Sequence, residues 1–552
     1  MNKVILLIIS ILIGTSSIFS QVEDVPISNP AYDFLLRLEA KGFAGDYSLS
    51  QIPLQKSEII EILRIARKND SLLSKTDKLV LTKFELEFGI IQNDYSVVFS
   101  SKSNSKSIFW SGFFDNSEKV LYYTKSPNYT SEVRPLGSLE FIQNYNSDSS
   151  RSVAIGTLGV RFSGSVGDNL GFFLQATNGR EVYGDKQLVM FVPEYSKSIK
   201  FTRYDSDIDL TQSHVTYQNG WFKAKIGRME EKIGAGLFQS AFLSTKSPPI
   251  DALTLTAKFD VFKYSYYFGS LIGDAITDAE TGFTSKLNSK YLNQHRFIAT
   301  PSWGEISFWE SVIYSERGLE LAYLNPLSFF KSLEHQLHDR DNTLMGMDLT
   351  LNFIKNLSIK SSFLLDDIQF EEIGKGYWSN KTAFNIAGIY SSKFNLDFGL
   401  EYARVEPYTY SHFNPKNAYT NDNLLLGSVL QPNSEQFGAL FQYWWGEKIP
   451  LKVQFTYSRH GDNIYDSTGF MIKNVGGDVR FSRRNEIPEH NFAGDSMNVT
   501  FLDGILEETY LLNINFGWEF IRNYFLIANY QMHIQNKKTQ NYVRILLTIN
   551  QF

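Results

Sequence analysis

Asp366 and Asp367 stand side by side in this chain, and paired carboxylates are the usual machinery for cleaving a glycosidic bond. Neighbouring residues of a strand point to opposite faces, so these two cannot flank one bond without a bend. They are better suited to closing a strand at a rim, where they accept hydrogen bonds from loop backbone or from a sugar hydroxyl. His335, His338, Asp339 and Asp341 crowd a second stretch that could hold a metal. The glycine and twelfth-position acid of a calcium loop are missing there, with Leu344 and Thr350 in those places. Gly234-Ala235-Gly236 lacks the third glycine and the lysine of a phosphate loop and reads as a bend. With no HExxH, no GxSxG and eight scattered histidines, neither metal-assisted nor nucleophilic hydrolysis has a motif. Nothing in the sequence implies a cofactor.

Binding has more support than catalysis. Tyr377, Trp378, Tyr408, Tyr410, Phe413 and Tyr419 occur beside Asp341, Asn380, Lys381 and His412. Flat aromatic faces stack on sugar rings while polar neighbours fix hydroxyls and charges. The expected ligand-binding set is Asp341, Asp366, Asp367, Tyr377, Trp378, Asn380, Lys381, Tyr408, Tyr410 and His412. The competing expectation for each aromatic is that it packs loops together or forms a membrane girdle. A repeating polymer tolerates weak individual contacts, because avidity multiplies them.

The elements that must position these residues are strands. Residues 1–20 read as a secretory signal: Lys3, then an apolar core from Val4 to Ile13, then Ser16, Ser17 and Ser20. That core is shorter than the roughly 20 residues needed to span a bilayer. No later stretch is long and apolar enough either, so any insertion must use strands. The chain has no Cys, which excludes disulfides, thiolate metal sites and a cysteine lipid anchor. A net charge of −6 spread over 552 residues argues against a nucleic-acid surface.

From about Leu136 the hydrophobic period is two. Leu451, Val453, Phe455 and Tyr457 alternate with Lys452, Gln454, Thr456 and Ser458, giving one apolar and one polar face. Phe394 to Tyr402 and Phe222 to Ile226 do the same. Tight turns are predicted at 167–169, 219–220, 260–261, 354–356, 391–393 and 446–450, with long connections at 179–206, 229–252, 273–293, 316–343, 367–381, 404–435 and 460–510. Short turns on one side and long loops on the other distinguish a membrane barrel from a soluble sandwich. The count comes to about eighteen antiparallel strands. Residues 21–94 read as a small periplasmic helical bundle, opened by Asn29 and Pro30, ended first at Gly42, and resumed after Ser57 and after Thr76. Residues 95–552 are assigned to the barrel, with 95–134 the least regular part. The closing strand, Tyr542 to Phe552, places Ile545, Leu547 and Ile549 out of register with Phe552 unless a bulge intervenes near Asn550.

Several motifs in order resemble those of the Wzi-like capsule assembly family of Bacteroidetes: Ser28-Asn29-Pro30 with Pro53-Leu54, Gly227-Arg228 through Gly234-Ala235-Gly236 to Ser247-Pro248-Pro249, Tyr323-Leu324-Asn325-Pro326, Asp339-Arg340-Asp341-Asn342, Asp366-Asp367-Ile368-Gln369 with Asn380-Lys381, and Pro407-Tyr408-Thr409-Tyr410 before Asn417-Ala418-Tyr419. A Trp usual in that pattern is replaced by Ile233. The resemblance implies an all-β outer-membrane barrel with a periplasmic helical bundle, lectin-like rather than catalytic, that holds capsular or surface polysaccharide at the cell surface. Its lumen is expected to be largely filled by side chains and inward loops. The expected partners are that polysaccharide, outer-membrane lipid, the barrel-insertion machinery, and periplasmic export or motility proteins, with no nucleic acid. Two alternatives stay open: a porin-like channel whose selectivity is set by Lys223, Lys225, Asp397 and Glu401, and a barrel component of a gliding-motility or adhesin complex.

Overall fold

Alternating apolar and polar side chains make a strand whose two faces suit two solvents, and closing such strands into a ring leaves no unpaired edge. The computed structural model describes residues 21–91, 95–99, 113–145, 150–198, 207–277, 284–483 and 497–550; the signal segment and Phe552 lie outside them. Eighteen antiparallel strands close the barrel: β1 (Tyr129–Tyr145), β2 (Ser150–Val166), β3 (Leu170–Gly184), β4 (Ile208–Asn219), β5 (Phe222–Met229), β6 (Ile250–Phe259), β7 (Phe262–Thr277), β8 (Thr284–Ala299), β9 (Gly304–Ser315), β10 (Asn342–Ile354), β11 (Leu357–Asp367), β12 (Lys381–Ser391), β13 (Leu396–Val405), β14 (Ser434–Trp445), β15 (Ile449–Asp462), β16 (Ile505–Ile521), β17 (Tyr524–Gln535) and β18 (Lys538–Ile549). The ring closes where Asn541–Ile549 of β18 pairs with Tyr145–Gly137 of β1.

The expected strand count and alternating connections hold. Tight turns lie at one end, and the loops 185–207, 230–249, 316–341, 368–380, 406–433 and 463–504 at the other, where a two-residue turn at Asn536–Lys537 also joins β17 to β18. The connection expected at 273–293 shrinks to 278–283, because β7 and β8 stay paired as far as Thr277 and Thr284. Of the irregular region, Tyr95–Val97 pairs in parallel with Glu118–Val120, and Tyr122–Ser126 pairs with the first residues of β1. These strands precede the ring. Trp221, Phe353, Phe394 and Trp445 stand exposed beside the tight turns, an aromatic girdle at one membrane interface. No helix among the described residues is long and apolar enough to cross a membrane.

Three helices, α1 (Ala31–Ala40), α2 (Lys56–Lys68) and α3 (Lys75–Glu87), sit at the tight-turn end. The Asn29 side chain accepts the Ala31 N–H at 2.8 Å and Gly42 leaves α1 with φ +81°, as the sequence predicts. The other two start earlier than predicted. Gln55 with Glu58, and Ser74 with Asp77, form reciprocal capping boxes that satisfy first-turn N–H groups. Phe34, Leu35, Ile59, Leu63, Leu81 and Phe84 form the bundle core, joined by Trp444 of β14.

The bundle is latched to the barrel by charge. Arg37, fully buried on α1, reaches Asp77 of α3 at 2.6 Å and Asp397 of β13 at 2.5 Å, and donates to the Ser392 carbonyl at 2.6 Å. Glu39 meets Lys360 of β11 at 2.6 Å, Asp33 meets Lys452 of β15 at 2.8 Å, and Lys83 meets Glu519 of β16 at 2.5 Å. Burial alone raises the Asp77 carboxyl, but the hydrogen bond and charge of Arg37 outweigh it and hold the group below the ordinary carboxylate range.

Replacing Arg37 by Met strands Asp397 without its cation and leaves Asp77 only the more distant Lys41 at 3.7 Å, at about 3–5 kcal/mol. The expected outcome is protease cleavage within residues 21–91 while the barrel keeps its heat-modifiable gel mobility. Unchanged protease resistance would show that the latch contributes nothing.

Candidate functional site

The loop after β5, residues 230–249, turns into the lumen from the long-loop end. Its Lys232–Ile233 pairs with Ile52–Gln51 of the helical region, and Gly234 N–H donates to the Ser50 carbonyl at 2.8 Å. The reversal that follows is held by one carboxylate: Glu401 of β13 accepts the N–H groups of Leu237, Phe238 and Gln239 at 2.6, 3.1 and 2.8 Å. Gly234-Ala235-Gly236 is a bend pressed on the wall, where a Cβ at Gly236 would fall 2.3 Å from the Gln239 carbonyl oxygen and 2.8 Å from Asn385 Nδ2. Beyond it Phe242 packs on Trp309 of β9, ring centroids 5.2 Å apart. Three of the four proposed pore charges are occupied: Lys225 by Asp24 at 2.9 Å and Glu231 at 2.5 Å, Asp397 by Arg37, and Glu401 by the loop, whereas Lys223 borders a cavity beside the tight turn at Gly220.

Loops at the outer rim rest on this inserted segment. Tyr410 and Tyr419 donate to the carbonyls of Ala241 and Phe242 at 2.8 and 3.1 Å and stack on each other at 5.5 Å. Tyr408 donates to the Asn474 carbonyl at 2.8 Å and meets the edge of Trp378 at 5.8 Å. Tyr408 and Tyr410 are wholly buried, so their ring faces are covered by protein and they support the rim from beneath.

Asp366 and Asp367 take different partners at the end of β11, where a register shift between Leu365 and Asp367 interrupts the pairing with β12, and both border one cavity of the rim. Asp366 accepts the Tyr410 N–H at 2.6 Å with Lys381 Nζ at 3.7 Å, whereas Asp367 accepts from Ser379 Oγ at 2.7 Å. Asn380 Oδ1 accepts the Gln369 N–H at 2.7 Å. Asp341 is buried against Arg317 at 2.6 Å and Tyr323 at 2.8 Å, away from His335 and His338. Glu334, His335 and Asp339 bring possible metal-ligand atoms within 4.8 Å of one another, but Glu334 is already held by Lys331 at 2.7 Å.

Two adjoining cavities open on the rim and share Ile368 and Trp378. One, of about 420 Å³, is lined by Tyr377, Trp378, Asn380, Arg404, Glu406 and Phe501. The other, of about 310 Å³, is lined by Asp339, Asp367, Trp378, Lys381 and His412 among others. Arg404 lies 3.6 Å over the Phe501 ring and donates to Glu406 at 2.6 Å, so a charged group and a flat apolar one are fixed together. Burial pushes the His412 imidazole down to about 4, leaving it neutral at physiological pH. Arg404, Glu406 and Phe501 escape the sequence reading, because Phe501 comes from a different loop and no local spacing joins them.

The comparisons agree with this architecture. A family model described as capsule assembly protein Wzi matches residues 87–532. Among solved structures, the Escherichia coli outer-membrane protein Wzi, described as involved in group 1 capsule assembly and as a carbohydrate-binding β-barrel, aligns at TM-score 0.56 and 11% identity over 95% of this chain and 99% of its own. That likeness is one of fold. Pseudomonas aeruginosa OpdQ aligns at TM-score 0.42 and 8% identity over 76% of this chain and 97% of its own. No curated protein sequence matches.

Glu401→Ala leaves three loop N–H groups without their acceptor, each about 1–3 kcal/mol if still buried. In planar bilayers the parent barrel is expected to be silent and this variant to show transient openings. Equal conductance in the two would mean that the carboxylate does not hold the loop.

Proposed function

The chain belongs to the Wzi capsule assembly protein family, and from that premise we propose that this outer-membrane barrel binds capsular or surface polysaccharide through its outer loops without catalysing a reaction on it. The observation that carries the reading is the pair of adjoining cavities on the rim, floored by Trp378 and walled by Tyr377, Asn380, Arg404 and Lys381. Aromatic rings next to charged and amide groups recognise the two sides of a sugar, its apolar face and its hydroxyls. A surface groove, rather than a deep pocket, admits a long polymer at any repeat.

A hydrolytic role is less well supported, since Asp366 and Asp367 each already accept a hydrogen bond from the loops. A channel role is opposed by the inserted loop and the latched helices. The polymer is the partner this geometry fits best. The helical bundle, at the tight-turn and hence periplasmic end, is the surface for export or motility proteins.

Purified, refolded barrel is expected to bind polysaccharide extracted from its own cells. Tyr377→Ala with Arg404→Ala should weaken binding about tenfold or more, as expected for one lost stacking and one lost charged contact, with gel mobility unchanged. Failure of the intact barrel to bind removes the reading; equal binding by the variant moves the site off these cavities.

A further inference from the structure

The loop between β9 and β10, residues 316–341, does not stay above the rim. On β9, Glu305 and Trp309 face the lumen, where they meet Ser50 and Phe242. Alternation then points Phe308, Glu310, Val312 and Tyr314 outward, to the membrane side. Phe308 is exposed, but Glu310, Val312 and Tyr314 are buried, because the loop folds down over the outside of the wall and covers them. The outward residues of β7 and β8 hold it: Tyr266 and Asn293 donate to the Tyr323 carbonyl at 3.0 and 2.7 Å, and Tyr264, third residue of β7 after its tight turn, donates to the Pro326 carbonyl.

Glu310 is the seventh of the twelve residues of β9, about 17 Å along the strand from its outer end at roughly 3.3 Å per residue. Its carboxylate accepts the N–H groups of Phe330 and Lys331 at 2.8 and 2.6 Å and lies 2.9 Å from His295 Nε2. Phe330 stacks on that imidazole at 4.5 Å. A carboxylate on the lipid face is destabilising in proportion to its depth, and here the strap removes it from lipid.

The strap's own outer surface is apolar. Residues 321–330, LAYLNPLSFF, carry no charge, whereas Glu316, Arg317 and Glu320 precede them and Lys331 follows. Leu321, Leu327 and Phe329 are 78%, 82% and 58% exposed. They continue the apolar wall on which Phe297 and Phe308 are also exposed. Soluble surfaces rarely gather such side chains, while charged residues at both ends and none between is the pattern of a segment dipping into a bilayer from one side.

We infer that residues 321–329 form a strap embedded in the outer leaflet, with lipid acyl chains as the occupant of its exposed face. The barrel thus meets the membrane through a loop segment as well as through strands. This holds whichever glycan the rim binds.

The absence of Cys makes the test direct. Leu327→Cys and Leu321→Cys, each carrying an environment-sensitive fluorophore, are compared with Phe308→Cys on the wall and Thr468→Cys on an exposed outer turn. All are reconstituted in phosphatidylcholine vesicles with ordinary or brominated acyl chains. The strap labels are expected to lose at least half their emission with brominated lipid, as Phe308→Cys does, and to resist aqueous iodide, to which Thr468→Cys is open. Quenching by iodide and not by bromine would place the strap in water and overturn the inference. Protection from both would mean that protein covers it, a second copy or another chain, and would overturn it equally.

Discussion

A strand crossing a bilayer finds no water for its N–H and C=O groups, so the pairing of β18 with β1, which removes the last open edges, is the contact on which everything else rests. Closure at eighteen strands brings its own problem. A ring of this size is wider than its side chains can fill, and the interior residues are charged. The protein answers with two inserts from opposite ends, the loop 230–249 and the helical bundle, each of which supplies partners for wall charges.

The two inserts solve the electrostatic problem in different ways. The bundle brings opposite charges, Arg37 to Asp397 and Glu39 to Lys360, whereas the loop, besides carrying Glu231 to Lys225, meets Glu401 with backbone, three N–H groups converging on it. A carboxylate accepting several backbone N–H groups is satisfied without a countercharge, but only for a loop held in that one reversal. Removing one partner from either arrangement leaves a buried charge exposed to a low dielectric, the more damaging half of any ion-pair loss.

Much of the ring was legible in the sequence, because its signal is local: period two, turn residues at the tight end, a capping Asn29 and a terminating Gly42. The inserted loop and the strap were not legible as folded objects. Gly234-Ala235-Gly236 shows a bend, but its glycines are required by the positive φ of Gly234 and by the Gln239 carbonyl and the Asn385 side chain closing on Gly236, and nothing near Glu310 says that Phe330 will sit on it. The rim aromatics were found but not sorted. A tyrosine that packs a loop and a tyrosine that faces solvent have the same composition and spacing, and only the burial of Tyr408 and Tyr410 against the partial exposure of Tyr377 separates them.

The short pairing of Gln51–Ile52 with Ile233–Lys232 joins the two inserts directly. Its two halves come from opposite openings of the barrel, one attached to the first folded segment of the chain and the other to a loop of the wall. The bundle sits at the tight-turn end and the loop descends from the other. The pairing of residues 51–52 with 232–233 therefore ties the two inserts to each other as well as to the wall, so that the two ends of the barrel are linked through its interior by one short ladder.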